Sequence, residues 1–265
     1  MKVPYWHVDA FTRGLFSGNP AGVCLLDSWL HDERLQEIAA ENNLSETAFV
    51  VRRGAHCDLR WFTPTVEVDL CGHATLAAAH VLFAHAGWRG GTIEFRSQSG
   101  RLLVERKEGL LVLDFPSRPP QPCAAPEILL RGLGSAPAET YGARDYLVVY
   151  STEAEVRGLA PDMGLLAKID LMGVIVTAPA EDPAAADFVS RFFAPGCGIP
   201  EDPVTGSAHC TLVPYWSKRL GRKILRARQV SARGGELFCE DAGDRVKIGG
   251  RAVTYLAGEL YLPEE

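Results

Sequence analysis

Arg60-Trp61-Phe62-Thr63-Pro64 is echoed later in the chain by Arg191-Phe192-Phe193-Ala194-Pro195. A glycine turn follows each copy: Cys71-Gly72-His73-Ala74 after the first and Thr205-Gly206-Ser207-Ala208 after the second. Each turn opens a stretch of helical composition. Ser97-x-x-Gly100 and Ser231-x-x-Gly234 fall at matching places beyond them. So long a period excludes a short-repeat solenoid and reads as a duplicated α+β unit. A glycine turn feeding a helix start leaves backbone N–H groups unpaired beside a positive partial charge, which suits a carboxylate. Two such ends are expected to face one cleft. The halves differ at the residues most able to do acid–base work, so one asymmetric site is expected.

Pro116-Ser117-Arg118-Pro119-Pro120-Gln121-Pro122 separates the copies. Four prolines so close together cannot hold a central strand or helix, so this is read as the linker. The expected domains are 1–116, a linker at 117–126, and 127–265, with a last strand at 253–263 that could return to the first half. Alternation and turn residues predict first-half strands at 5–11, 21–26, 47–51, 57–62, 93–96, 101–106 and 110–115. Helices are expected at 32–43 and 75–86, the second closed by Gly87. The second half repeats the order, with strands at 146–150, 173–177 and 187–193 and a helical patch at 163–168. A further strand is expected from Val230 onward. A helix is expected after Gly206, with Pro214 inside it, where an interior proline costs about 3 kcal/mol unless a kink accommodates it.

The chain has 265 residues, 47% of them hydrophobic and 23% charged, enough for a substantial core. A net charge of −6 argues against a nucleic-acid or anionic-membrane surface. Seven cysteines without a Cys-x-x-Cys pair point to a reducing compartment and neither a disulfide framework nor a zinc site. With no signal-like or spanning apolar run, the expected location is the cytoplasm. Phosphate loops, dinucleotide fingerprints and nucleophile elbows are absent from the sequence, and so are metal-ligand clusters, so no metal is expected. Lys218-Arg219, Arg222-Lys223, Arg226 and Arg228 lack interleaved aromatics and read as a solvated face.

Glu46 lies in Ser45-Glu46-Thr47-Ala48-Phe49-Val50, where a helix gives way to an apolar strand. A carboxylate at such a mouth is expected to be desolvated, which raises its pKa toward the range useful for moving a proton. Its bland alternatives are a solvated turn or a capping partner of Asn43, the latter weakened because a strand follows. Gly72 allows close backbone approach of a ligand. His73 could donate a hydrogen bond or shuttle a proton, or simply be a satisfied capping side chain. Cys71, at a helix start, is expected to have a lowered thiol pKa and could serve as a base, or it is a small buried residue. Asp202, held extended by Pro203, could orient a substrate ammonium or hydroxyl or position the histidine. Ser207 could bind a carboxylate with Gly206 or be a plain N-cap. Thr205 stands where the first copy has Cys71, which disfavours a two-thiol racemase.

Taken together, Asp9-Ala10-Phe11, Gly18-Asn19-Pro20-Ala21, Asn43-Leu44-Ser45-Glu46-Thr47-Ala48-Phe49, the Arg60 and Cys71 motifs, and Asp202-Pro203-Val204-Thr205-Gly206-Ser207-Ala208-His209 resemble the phenazine-biosynthesis PhzF-like family. The resemblance covers nearly the whole chain. It implies a diaminopimelate epimerase-like fold: two similar halves, each a curved, mostly antiparallel sheet around a central helix. It also implies a homodimer without a cofactor, Glu46 as the proton-transferring acid/base, and Ser45, His73, Asp202 and Ser207 around it. Asn19, Cys71, Gly72, Thr205 and Gly206 are placed with the substrate-binding residues. The expected activity is a cofactor-independent isomerase (EC 5 class) that moves a proton between carbons of a small carboxylate-bearing substrate. Its alternatives are an amino-acid racemase or epimerase using Cys71, and a non-catalytic metabolite-binding or interaction module.

Overall fold

The structure is a computed structural model that describes residues 1–263. It contains two compact units, one formed by residues 1–114 with 249 onward and the other by 115–248. The proline-rich segment therefore belongs to the second unit.

In the first unit, β1 (Lys2–Ala10) and β2 (Asn19–Leu26) pair antiparallel. Helix α1 (Asp32–Asn42) crosses over so that β3 (Glu46–Arg53) lies parallel to β2. Leu35, Ile38 and Ala39 form the buried stripe of α1, and Asn43 ends it in the left-handed region that asparagine tolerates. β4 (His56–Phe62) returns antiparallel and carries the two-residue β5 (Glu67–Val68) at its end. Helix α2 (Gly72–Ala84) crosses to β6 (Thr92–Ser97), parallel to β4, and β7 (Gly100–Lys107) and β8 (Leu110–Pro116) continue as a meander. Ten of the thirteen α2 residues are buried, so its alanine-rich composition reflects a helix enclosed on most sides. It starts at Gly72 rather than at residue 75, because Cys71 already caps it. The strand Ala252–Tyr261 pairs antiparallel with β1.

The second unit opens with β9 (Gln121–Pro122), a two-residue strand within the proline-rich segment. It pairs with β10 (Glu139–Gly142) beyond the short helix α3 (Glu127–Leu133). Proline bars a central strand but not so short a pairing. β11 (Tyr146–Val149) lies antiparallel to β10 and parallel to β12 (Val174–Pro179), with α4 (Glu153–Gly158) and α5 (Met163–Leu166) between them. β13 (Phe188–Ala194) is antiparallel to β12 and carries β14 (Ile199–Asp202). Helix α6 (Gly206–Leu220) then leads to β15 (Ile224–Gln229), parallel to β13, followed by β16 (Gly235–Asp241) and β17 (Arg245–Gly250). Each unit thus runs through a parallel pair, an antiparallel return, and a second parallel pair crossed by one buried helix.

One open point is settled here and one expectation needs correction. Pro214 does not stop α6, which runs fifteen residues. The carbonyl that a residue at 214 would normally engage is that of Cys210, and it accepts the Arg118 N–H instead at 2.9 Å. The proline's missing donor is thereby replaced from the proline-rich segment. No strand starts at Val230: β15 ends just before it at Gln229, and the next strand, β16, begins at Gly235. The arginines of β15, Arg226 and Arg228, alternate with buried Leu225, Ala227 and Gln229, so part of the basic run is the outer face of a strand.

The repeated motif is a duplicated ion pair. Arg60 grips both carboxylate oxygens of Glu67 at 2.7 and 2.8 Å, and Arg191 grips those of Glu201 at 2.8 and 3.0 Å. Each guanidinium also lies over the phenylalanine two residues on, Phe62 at 5.1 Å and Phe193 at 4.9 Å. These clamps fix the chain just ahead of Cys71 and of Asp202–Thr205.

Candidate active site

Glu46 is the first residue of β3 and pairs in register with Ala21 of β2. Asn19 lies two residues before Ala21 and so shares that face. Helix α2 brings His73 into the same place from its first turn. His73 Nε2 lies 3.1 Å from Glu46 Oε2, and its Nδ1 lies 3.1 Å from Asn19 Nδ2 and 3.5 Å from Cys71 Sγ. Glu46 is 8% exposed and His73 4%. Both are nevertheless polar atoms without a well-directed hydrogen bond: Glu46 Oε2 and His73 Nε2 are close but misaligned, and neither has another partner. Ser45 is half-buried immediately before Glu46, and Gly72 is buried at the first helical position.

Burial opposes a charged His73, but Cys71 and Glu46 beside it hold its pKa well above the ordinary histidine value. The amide of Asn19 is coupled to that charge. Its NH2 facing Nδ1 suits the neutral ring with the proton on Nε2, toward Glu46. An imidazolium needs the amide carbonyl there instead. Cys71 corrects an expectation: burial, reinforced by Glu46, pushes its thiol up to about 11. The helix start is overruled by desolvation, and Cys71 is a neutral thiol at physiological pH.

Glu46, Cys71 and His73 are also a possible three-residue metal set, their ligand atoms within 4.8 Å of one another. The arrangement fits one ion poorly. The imidazole turns Nδ1 to Cys71 and Nε2 to Glu46, and one ion cannot lie on both edges of the ring. The thiol would also have to lose a proton that burial strongly retains.

The second unit builds its own cluster at the start of α6. Thr205 is the helix cap, the position Cys71 holds on α2, and Gly206 and Ser207 match Gly72 and His73. Ser207 is therefore one turn position inside the helix rather than the cap. Asp202 is buried at 8% exposure and accepts a short hydrogen bond from the Thr205 hydroxyl. Gln229, absent from the sequence-based site residues, accepts the Thr205 N–H at 2.9 Å and donates to the Asp202 carbonyl at 2.7 Å. The signal for it was a polar residue at the third buried position of an alternating strand. His209 donates from Nδ1 to the Thr205 carbonyl at 2.8 Å, and burial drives its pKa down to about 4.

The chain is similar to known proteins over nearly its whole length. Residues 8–258 match the family described as phenazine biosynthesis-like protein, PhzC-PhzF. The chain belongs to the PhzC-PhzF family. An uncharacterized isomerase of Pseudomonas aeruginosa is 52% identical over 262 residues, covering 99% of this chain and all of that one. The crystal structure of a PhzF family protein from Enterococcus faecalis has a TM-score of 0.95 at 49% identity, covering 99% of this chain and 100% of that one. A predicted epimerase from Pseudomonas aeruginosa has a TM-score of 0.74 at 17% identity, covering 98% and 100%, a likeness of fold alone. The PhzC-PhzF chain thus has the epimerase-like α+β fold, with two units of matching topology. Among its described residues, no helix is long and apolar enough to cross a membrane.

Proposed function

We propose that this PhzC-PhzF protein is a cofactor-independent isomerase, with Glu46 moving a proton between carbons of a small carboxylate-bearing substrate. The observation that carries the reading is the buried Glu46–His73 contact, with a carboxylate oxygen and a ring nitrogen both lacking a well-directed partner. The isomerase name of the relative at 52% identity supports the reaction class.

In the forward step the C–H bond breaks and its proton goes to a Glu46 carboxylate oxygen. The electron pair stays in the substrate as an enolate-like system conjugated with its carboxylate. Glu46 then returns the proton to another carbon of that system. The first-turn amides of α2 at Gly72 and His73 stabilise the negative charge, and His73 donates from Nε2 to substrate or to Glu46. Asn19 and Ser45 border this group. Asp202, Thr205, Gly206 and Ser207 are assigned to holding a polar substituent or carboxylate of the substrate. A thiolate mechanism is disfavoured, because with a pKa of about 11 Cys71 is almost entirely the protonated thiol at neutral pH, and the matching residue is Thr205. The reading extends to a cytoplasmic homodimer, which light scattering at micromolar concentration would measure.

The test is carbon–deuterium incorporation from D2O across a panel of small unsaturated and amino carboxylic acids, followed by proton NMR. The wild type should deuterate at least one acid, and Glu46→Gln should deuterate none while retaining its fold. Equal incorporation by that variant would remove Glu46 from the mechanism.

A further inference from the structure

Gln229 is 1% exposed and occupies the third inward position of β15, after Leu225 and Ala227. A buried amide there is costly unless every polar atom is satisfied. Its partners are all in one segment. Oε1 accepts from Thr205 N at 2.9 Å, and Nε2 donates to the Asp202 carbonyl at 2.7 Å and to Thr205 Oγ1 at 3.2 Å. The Thr205 hydroxyl in turn gives its only proton to the Asp202 carboxylate.

A threonine at a helix cap ordinarily turns its hydroxyl onto a first-turn N–H. Thr205 makes no such bond. Its hydroxyl is engaged by Gln229 and Asp202 instead. We infer that Gln229 is a positioning residue: it fixes the Asp202–Thr205 segment and holds the Thr205 hydroxyl off α6, leaving the first-turn amides to a substrate carboxylate. The positioning is a property of the segment itself; its service to a substrate rests on the isomerase reading above.

Gln229→Leu keeps the size of the side chain and removes all three bonds. The hydroxyl oxygen, no longer occupied by the Gln229 amide, should then accept a first-turn N–H and cap α6. Amide hydrogen exchange in the full-length protein should show protection at Thr205 falling at least tenfold. Protection at Ser207 or Ala208 should rise, and the rise should vanish in the Gln229→Leu, Thr205→Val double variant. A merely loosened structure would lower protection at all of these amides together, and that result, or no change, overturns the inference. With an acid that the wild type deuterates, Gln229→Leu should raise KM tenfold or more and leave kcat within threefold. A fall in kcat at constant KM contradicts the substrate role. Should no acid exchange with the wild type, the isomerase reading fails, and the amide measurements still decide the positioning.

Discussion

Thr205 caps α6 in the position where Cys71 caps α2, and neither side chain makes a capping hydrogen bond. The two equivalent positions thus hold a hydroxyl and a thiol, and only one of them could ever supply a thiolate. A matched pair of thiols at these two equivalent positions is ruled out by that difference.

This relationship predicts that Cys71 is dispensable for proton transfer. Cys71→Ala should retain deuterium incorporation within about tenfold of the wild type, in line with the loss of a neighbouring group rather than of the base. With its pKa near 11, the thiol should also resist iodoacetamide at pH 8 in the folded protein. Loss of all exchange in Cys71→Ala would favour a thiol mechanism.

The duplicated arginines should differ in their contribution to stability. Arg191 is 12% exposed in its side chain and adds bonds to the Val156 and Leu159 carbonyls at 3.0 and 2.8 Å. The remaining nitrogen of Arg60 goes to Asp32, whose side chain is 75% exposed. Removing Arg191 leaves a partly buried carboxylate and backbone carbonyls unpaired, a loss of about 3 kcal/mol. Arg60→Ala loses a similarly enclosed pair with Glu67, but its third partner is an exposed carboxylate that contributes little, so it should cost at least about 1 kcal/mol less. Urea denaturation of both variants checks the order.

His209 makes stability depend on pH. Its pKa is about 4 in the folded protein, against an ordinary value near 6.5 when unfolded. Between these values the unfolded chain holds the proton and the folded one does not, so stability is lost as pH falls through this window. The expected loss from this group between pH 7 and pH 5 is about 2 kcal/mol. His209→Gln, which can still donate to the Thr205 carbonyl, should lose correspondingly less over the same interval. His80, also lowered to about 4, acts in the same direction and is common to both proteins.

The duplication was legible in the sequence because its signals are local: an arginine two residues before an aromatic, then a glycine at a helix start. Glu46 and His73 were legible as separate candidates, since each lies at an element boundary. Their 3.1 Å approach was not, because it depends on the β2–β3 register and on where α2 docks. Cys71 misled for the same reason. The helix start visible in sequence lowers a thiol pKa, while the burial that raises it is a tertiary property. How Pro214 is accommodated was not legible, because its compensating donor, Arg118, is remote in sequence. Gln229 was missed because a glutamine after alternating arginines resembles an exposed strand until its inward face is known.

The most direct test of Glu46 as the carrier follows one proton through turnover. An exchanging acid carrying deuterium at the reactive carbon is converted in ordinary water, and the product is analysed by position. A buried carboxyl, 8% exposed, should deliver part of that deuterium to the acceptor carbon before exchanging with solvent, and Glu46→Gln should abolish turnover. Complete washout of the label, together with wild-type turnover in Glu46→Gln, would contradict the account.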